Sequence, residues 1–213
     1  MINILEYASR WDDEKIDHKA REFLDDHPTY NKIPIEIESI IDIDLKMDIV
    51  PLPGLKKLFD GATDAFLSVD FSTIWVDDFI SENRENRYRF TLAHEIGHMI
   101  LHPEVYKTLD YSSLTTAKNT ILAINKLYPT FDSQADEFAG RVLAPRKELQ
   151  YVFDKFQKKA EERVLEEIPE LDLINKVEYQ EAVKIVLIPG IARKFKISEA
   201  AMGVRLKKEQ LVS

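Results

Sequence analysis

The chain has 213 residues, of which 45% are hydrophobic and 31% charged, with no cysteine and a formal net charge of −9. That length supports one sizeable core with an extension, the missing cysteine excludes disulfides and thiolate-held zinc and is compatible with a reducing cytoplasm, and the acidic balance disfavours general adhesion to nucleic acid. No apolar run approaches a membrane span, and the start, Met1-Ile-Asn-Ile-Leu-Glu-Tyr7, lacks the basic head and long apolar segment expected of a secretory signal.

From Asp12 to Asp26, Ile16, Ala20, Phe23 and Leu24 recur at helical spacing among charges, and His27-Pro28 closes the segment. This predicts an amphipathic packing helix, with His18 and His27 at the surface. A second short helix is expected after Pro34, with Ile37, Ile40 and Ile41 inward and Glu36 and Glu38 near its positive end. Met47 to Val50, Ala65 to Val69 and Thr73 to Val76 are runs of strand-forming residues. Pro51-Leu-Pro-Gly54 stops the first, and a tight Asp70-Phe-Ser turn joins the other two. They predict a small, mostly antiparallel sheet. Thr73 to Val76 is the candidate edge strand for holding an extended peptide by main-chain hydrogen bonds; a sheet that only packs fits equally well. A charged link, Ser81 to Arg87, follows.

The next stretch, Arg89-Phe-Thr-Leu-Ala-His-Glu-Ile-Gly-His-Met-Ile-Leu-His102, carries HExxH. On a helix, residues four apart stand one above the other, so His94 and His98 can offer two imidazoles to one tetrahedral Zn²⁺ while Glu95 works on a water. At about 100° per residue, Thr91, His94, Glu95, His98 and His102 share roughly one quarter of the circumference, and apolar residues cover the rest. A core helix with one polar strip must turn that strip toward something polar, and a metal cleft meets the demand. His102 lies about 12 Å along the axis from His94, too far to share its metal. A third histidine ligand of the HExxHxxGxxH kind would need glycine where Leu101 stands. His102 therefore reads as a helix-end or cleft-wall residue.

Pro103 ends this helix, 104–112 read as loop, and Ser113 to Lys126 predict a helix able to form a wall of the cleft. A catalytic zinc usually has three protein ligands, and no histidine follows His102. The helix predicted from Phe131 to the Pro145 stop buries Phe131, Ala135, Phe138, Ala139 and Val142. Asp132 and Asp136 lie at the margin of that face, and Glu137 points away with Arg141 toward solvent. The i, i+4 spacing of the two aspartates lets one carboxylate bind metal while the other accepts a hydrogen bond from a ligating imidazole. A first-turn acid that only stabilises the helix dipole is the other reading of Asp132. Tyr88, Tyr106, Tyr111 and His102 are all candidates for stabilising an oxyanion.

Beyond Pro145, Lys147 to Glu167 predict a long charged helix broken at 166–170, and another begins near Val177. Residues 191–208 read as helix, a turn at Lys196-Ile-Ser198, and a helix capped by Ser198. This end resembles a helix-turn-helix made basic by Arg193, Lys194, Lys196, Arg205, Lys207 and Lys208. Packing as a helical hairpin is favoured over binding DNA.

The HExxH stretch at 89–102, followed by Gln-Ala-Asp-Glu-Phe-Ala-Gly-Arg-Val-Leu-Ala-Pro at 134–145, resembles the ImmA/IrrE family of metallo-endopeptidases, with weaker similarity from about Ile16 into the C-terminal helices. The second motif is similar to that family's ExxA(N/D)xFAxxLLxP, whose first Glu is the expected third zinc ligand. Asp132 stands at that position, and Asp136 stands at the Asn/Asp position. An aspartate is one methylene shorter, so the second helix must approach more closely or the metal is held less well.

The resemblance implies an α+β, zincin-like fold in which the HExxH helix packs with further helices against a small, mostly antiparallel sheet. It implies a core over 1–146 and a helical region over 147–213. The implied site is gluzincin-like: His94, His98 and Asp132 on one catalytic Zn²⁺, Asp136 behind them, Glu95 as the catalytic acid–base and His102 in the cleft. The implied activity is that of a selective cytoplasmic endopeptidase acting on a protein substrate such as a transcriptional repressor, with no membrane partner. The alternative is a weak or inactive zincin-fold regulator that binds a repressor or DNA; a third reading is a metal-bound protein that sequesters its partner uncut.

Overall fold

In the computed structural model, which describes residues 10–30, 32–109, 113–127, 129–167 and 176–212, the chain divides into two units, Met1–Leu143 and Ala144–Ser213. In the first unit, helix α1 (Asp13–Asp26) begins where the Asp12 carboxylate accepts a hydrogen bond from the Lys15 N–H at 2.9 Å. That cap is worth about 1 kcal/mol. Ile16, Ala20, Phe23 and Leu24 are buried, as their spacing predicts. His18 is exposed beside Glu22, but His27 is not a free surface residue. Its Nδ1 lies 2.7 Å from Asp44, a partner 17 residues away that no local pattern announces.

Helix α2 (Ile37–Ser39) runs into a π-helical turn, Ile40–Asp44, with Ile37, Ile40 and Ile41 buried. The sheet contains β1 (Asp48–Leu52), β2 (Ala65–Leu67) and β3 (Thr73–Asp77) in the order β1-β3-β2. Between β1 and β2 the chain passes through helix α3 (Leu55–Leu58). β2 and β3 form the expected hairpin, with Ala65 opposite Val76, while β1 joins the other side of β3 in parallel, with Asp48 beside Thr73. The sheet is therefore mixed rather than mostly antiparallel. Thr73–Val76 is its centre and not its edge, so it cannot be the strand offered to a peptide. A hairpin can be extended on either side, and the route from β1 through α3 decides which side is taken.

The charged link after Asp78 is helical as well: α4 (Asp78–Asn83) ends at Arg84, and the motif helix α5 (Glu85–Leu101) starts directly after it. Arg89 is buried in α5 and donates to the Ile35 carbonyl at 2.7 Å, anchoring the helix to the segment before α2. Pro103 opens a helical turn, α6 (Pro103–Tyr106), inside the expected loop; residues 110–112 of that loop lie outside the described residues. Helix α7 (Leu114–Leu127) sets Ile121 against Leu55, Phe59 and Phe66 over the sheet.

Helix α8 (Pro129–Leu143) lies between α5 and α1. Phe138 meets Phe23 edge-on at 5.8 Å. Arg141 bridges Glu137 and Asp17, each at 2.7 Å. Glu137 thus meets α1 through Arg141 instead of open solvent, because α1 covers the side of α8 turned away from the motif helix.

The second unit consists of α9 (Arg146–Glu167), α10 (Lys176–Phe195) and α11 (Glu199–Lys208); of the expected break at 166–170, Glu166 and Glu167 are still helical and 168–170 lie outside the described residues. The turn and cap before α11 form as predicted, with Ser198 Oγ accepting the Ala201 N–H at 3.1 Å. Arg205 is turned inward, donates to the Ala144 carbonyl at 3.3 Å and pairs with Glu209. Arg193, Lys194, Lys196, Lys207 and Lys208 are exposed. Among the described residues, no helix is long and apolar enough to cross a membrane.

Candidate metal centre

His94 and His98 project from successive turns of α5, with their rings edge-on at 4.7 Å and their Nε2 atoms 3.0 Å apart. Asp132, in the first turn of α8, places Oδ1 3.4 Å from His98 Nε2 and 3.9 Å from His94 Nε2. These residues form a group able to hold a metal ion. A point equidistant from the three atoms lies about 2.0 Å from each, which is the length of zinc–nitrogen and short zinc–oxygen bonds. The shorter aspartate reaches because the helices are close. A Cβ added to Gly97 would stand 3.0 Å from Ala135 Cα and 3.1 Å from its carbonyl oxygen, so only glycine on α5 admits α8 at this distance.

The chemistry of the donors also fits a cation. His94 Nδ1 lies 2.7 Å from Asp136 Oδ1, an acceptor when ionised, so the ring proton belongs on Nδ1 and the Nε2 lone pair faces Asp132 and His98. Asp136 thus holds the His94 ring from the nitrogen opposite the one that faces Asp132 and His98. Burial disfavours the charged form of His94, yet the bond to Asp136 and the carboxylates of Glu95, Asp136 and Asp132 together raise its pKa above the ordinary value. Burial lowers that of His98, against the pull of Asp132. Burial disfavours the Asp132 anion, but the neighbouring imidazoles, His98 first, hold it below the usual carboxylate range. An electron-rich N₂O set of this kind suits zinc.

Glu95 is buried beside the donors and outside their triangle. Burial pushes its pKa up to about 7; the charge of His94 opposes this, Asp132 adds to it, and a hydrogen bond from the Leu67 N–H opposes it again. A carboxyl group in that range can take and return a proton near neutral pH. β2 borders the site, since Ala65 lines the same clefts as His94, Glu95 and Asp132. A cleft of about 390 Å³, lined by Thr63, Ala65, Arg87, Thr91, Glu95 and Asp132 among others, opens beside it.

His102 is the C-terminal cap of α5, and its ring is buried edge-on against Phe131 at 4.6 Å. It is not part of the His94–His98–Asp132 group. Its Nδ1 lies 3.0 Å from His98 Nδ1, and its Nε2 lies 3.0 Å from Gln134 Oε1. Burial and the neighbouring His98 push its pKa down to about 3. Of the tyrosines, Tyr88 donates to Glu38 at 2.8 Å, and Tyr111 lies outside the described residues. Tyr106 lines the pocket of His94, Glu95 and His98, its ring 5.7 Å from that of His98.

Sequence reasoning missed Gln134, Gly97 and the Leu67 N–H. Gln134 carried a signal, because it is a polar residue on the apolar stripe of Phe131, Ala135 and Phe138. The other two depend on a helix contact and a strand edge that no local pattern contains. Residues 79–207, which take in α5, α8 and most of the second unit, match the family model described as IrrE N-terminal-like domain, Peptidase M78. No curated protein matches the chain. With its HExxH helix, its converging His–His–Asp donors and that match over more than half its length, the chain belongs to the Peptidase M78 family of metallopeptidases.

Proposed function

We propose that this protein is a zinc-dependent endopeptidase in which His94, His98 and Asp132 hold the metal and Glu95 is the general acid–base. The observation that carries this reading is the convergence of three metal donors with a buried carboxyl group at the side of an open cleft. Zinc held there would supply Lewis acidity toward a water and a peptide carbonyl. Glu95 would take the proton of the attacking water and pass it to the leaving amine. Tyr106 is the side chain best placed to face the developing oxyanion. An extended substrate would pair with the outer edge of β2, at Ala65, since β3 is enclosed by its neighbours on both sides.

The substrate class we favour is a regulator of the transcriptional-repressor kind in the cytoplasm, as the family resemblance implies. The rival reading, a scaffold that only binds, drew its support from the short aspartate. The distances from Asp132 to both imidazoles weaken that support. DNA binding is not favoured, since Arg205 in the basic end is spent on internal contacts.

The test is elemental analysis of the purified protein beside His94→Ala and Asp132→Ala, with mass spectrometry of a proteome-derived peptide pool treated with wild type or Glu95→Gln. The expected result is near-stoichiometric zinc in wild type, lost in the first two variants. Glu95→Gln should keep the metal and cleave about 10²–10⁴-fold more slowly. A wild type that stays metal-free when offered zinc, or a Glu95→Gln variant that cuts undiminished, would overturn the reading.

A further inference from the structure

His102 and Gln134 are polar, almost wholly buried and unused by the reaction described above. Their hydrogen bonds have a direction that can be worked out from one end. The Trp11 carbonyl can only accept, so Gln134 must donate to it through Nε2, at 3.1 Å. The amide orientation is then settled, and Gln134 Oε1 must accept from His102 Nε2. A neutral imidazole with its proton on Nε2 has a bare Nδ1, which must accept from His98 Nδ1. His98 is left with a bare Nε2, the atom that faces His94 and Asp132.

We propose that Gln134 and His102 form a positioning relay, anchored on the Trp11 carbonyl, that dictates which nitrogen of His98 carries the proton and holds its Nε2 lone pair toward the metal. The proposal rests on reading His94, His98 and Asp132 as metal ligands, and it adds two residues that touch neither metal nor substrate. The two histidines are then oriented by different means. Asp136, on the exposed side of α8, does it for His94 with a charge. His98 lies over the apolar pocket of Val105 and Phe131, where a buried carboxylate would be costly, and a neutral chain ending on the backbone supplies the acceptor instead. Phe131 packs edge-on against His102 and keeps the ring from turning over.

The relay is tested on the full chain by zinc affinity from chelator competition, by the visible spectrum of the Co²⁺ form and by long-range ¹⁵N–¹H imidazole correlation. In the zinc-loaded wild type, the proton of His102 should be on Nε2 and that of His98 on Nδ1. His102→Leu and Gln134→Leu should bind zinc about 10–100-fold more weakly and alter the Co²⁺ spectrum. His102→Asn, whose carbonyl can replace the lost acceptor, should return to within about threefold of wild type. The opposite tautomers in the wild type overturn the relay, and this reading holds even if a leucine variant does not fold. Leucine variants that bind zinc as the wild type does also overturn it, and if His94→Ala loses zinc in the same assay, the metal site itself stands. A wild type that takes no zinc overturns both.

Discussion

Tyr88 and Glu38 illustrate what single residues far apart in the chain contribute. The phenol donates to the Glu38 carboxylate at 2.8 Å, joining α5 to α2. Burial, that hydrogen bond and the Glu38 charge raise the phenol pKa well above its ordinary value. A group that holds its proton more tightly when folded contributes its full stability below the unfolded pKa of about 10 and loses it as pH rises beyond. Tyr88→Phe should therefore be less stable than wild type by about 1 kcal/mol at pH 8. The gap should close as the pH is raised past about 10. Thermal melts of both proteins across that range measure it; parallel curves would show that the bond has no such role. The HExxH residues stand in contrast at this scale. His94, Glu95 and His98 are legible from five consecutive helical positions, whereas the partner of Tyr88 is 50 residues away and has no local signature.

At the level of elements, the site is made by the contact of α5 with α8. Gly97 has no ordinary reason to stand in the middle of a helix, where it costs about 1 kcal/mol relative to alanine. Its use is the approach of Ala135, which brings the short Asp132 side chain within reach of both imidazoles. Gly97→Ala should push the helices apart by a few tenths of an ångström and destabilise the fold by about 1–3 kcal/mol. It should also weaken zinc binding. In that background Asp132→Glu should recover part of the affinity, because the longer carboxylate spans the wider gap. Chelator competition on the single and double variants reads this directly. A double variant that binds zinc no better than Gly97→Ala would separate helix spacing from metal affinity. The spacing of the acidic pair on α8 was readable as a helix margin, but which acid converges with the two imidazoles depends on this approach.

For the molecule as a whole, the second unit shows how one arginine of a basic stretch, Arg205, enters an internal ion pair while its basic neighbours stay exposed. The Arg205 side chain is 4% exposed and that of Glu209 is 7% exposed, and Arg146 adds a second contact to Glu209 at 2.9 Å. Removing one partner of a buried pair leaves the other charge short of compensation, so Glu209→Gln should cost about 3 kcal/mol or more. The loss belongs to the second unit, and urea unfolding followed by hydrogen exchange across 144–212 should locate it there. Uniform loss of protection over both units would contradict that placement.

The chain by itself determined what short-range periodicity can carry. Hydrophobic spacing placed α1, α5, α8 and α9 to within a few residues, the HExxH spacing put two imidazoles on one face, and Ser198 announced the start of α11. Tertiary structure decided everything that depends on which surfaces meet. It made β3 the central strand because the chain leaves β1 through α3 to form β2 apart from it, and β3 then pairs with both. It paired Glu137 with Arg141 and His27 with Asp44, and set His102 between His98 and Gln134. The reason is physical: helix and strand periods are written in consecutive residues, whereas the distance between α5 and α8, or the side on which a strand is added, is set by packing among segments that the local pattern does not relate.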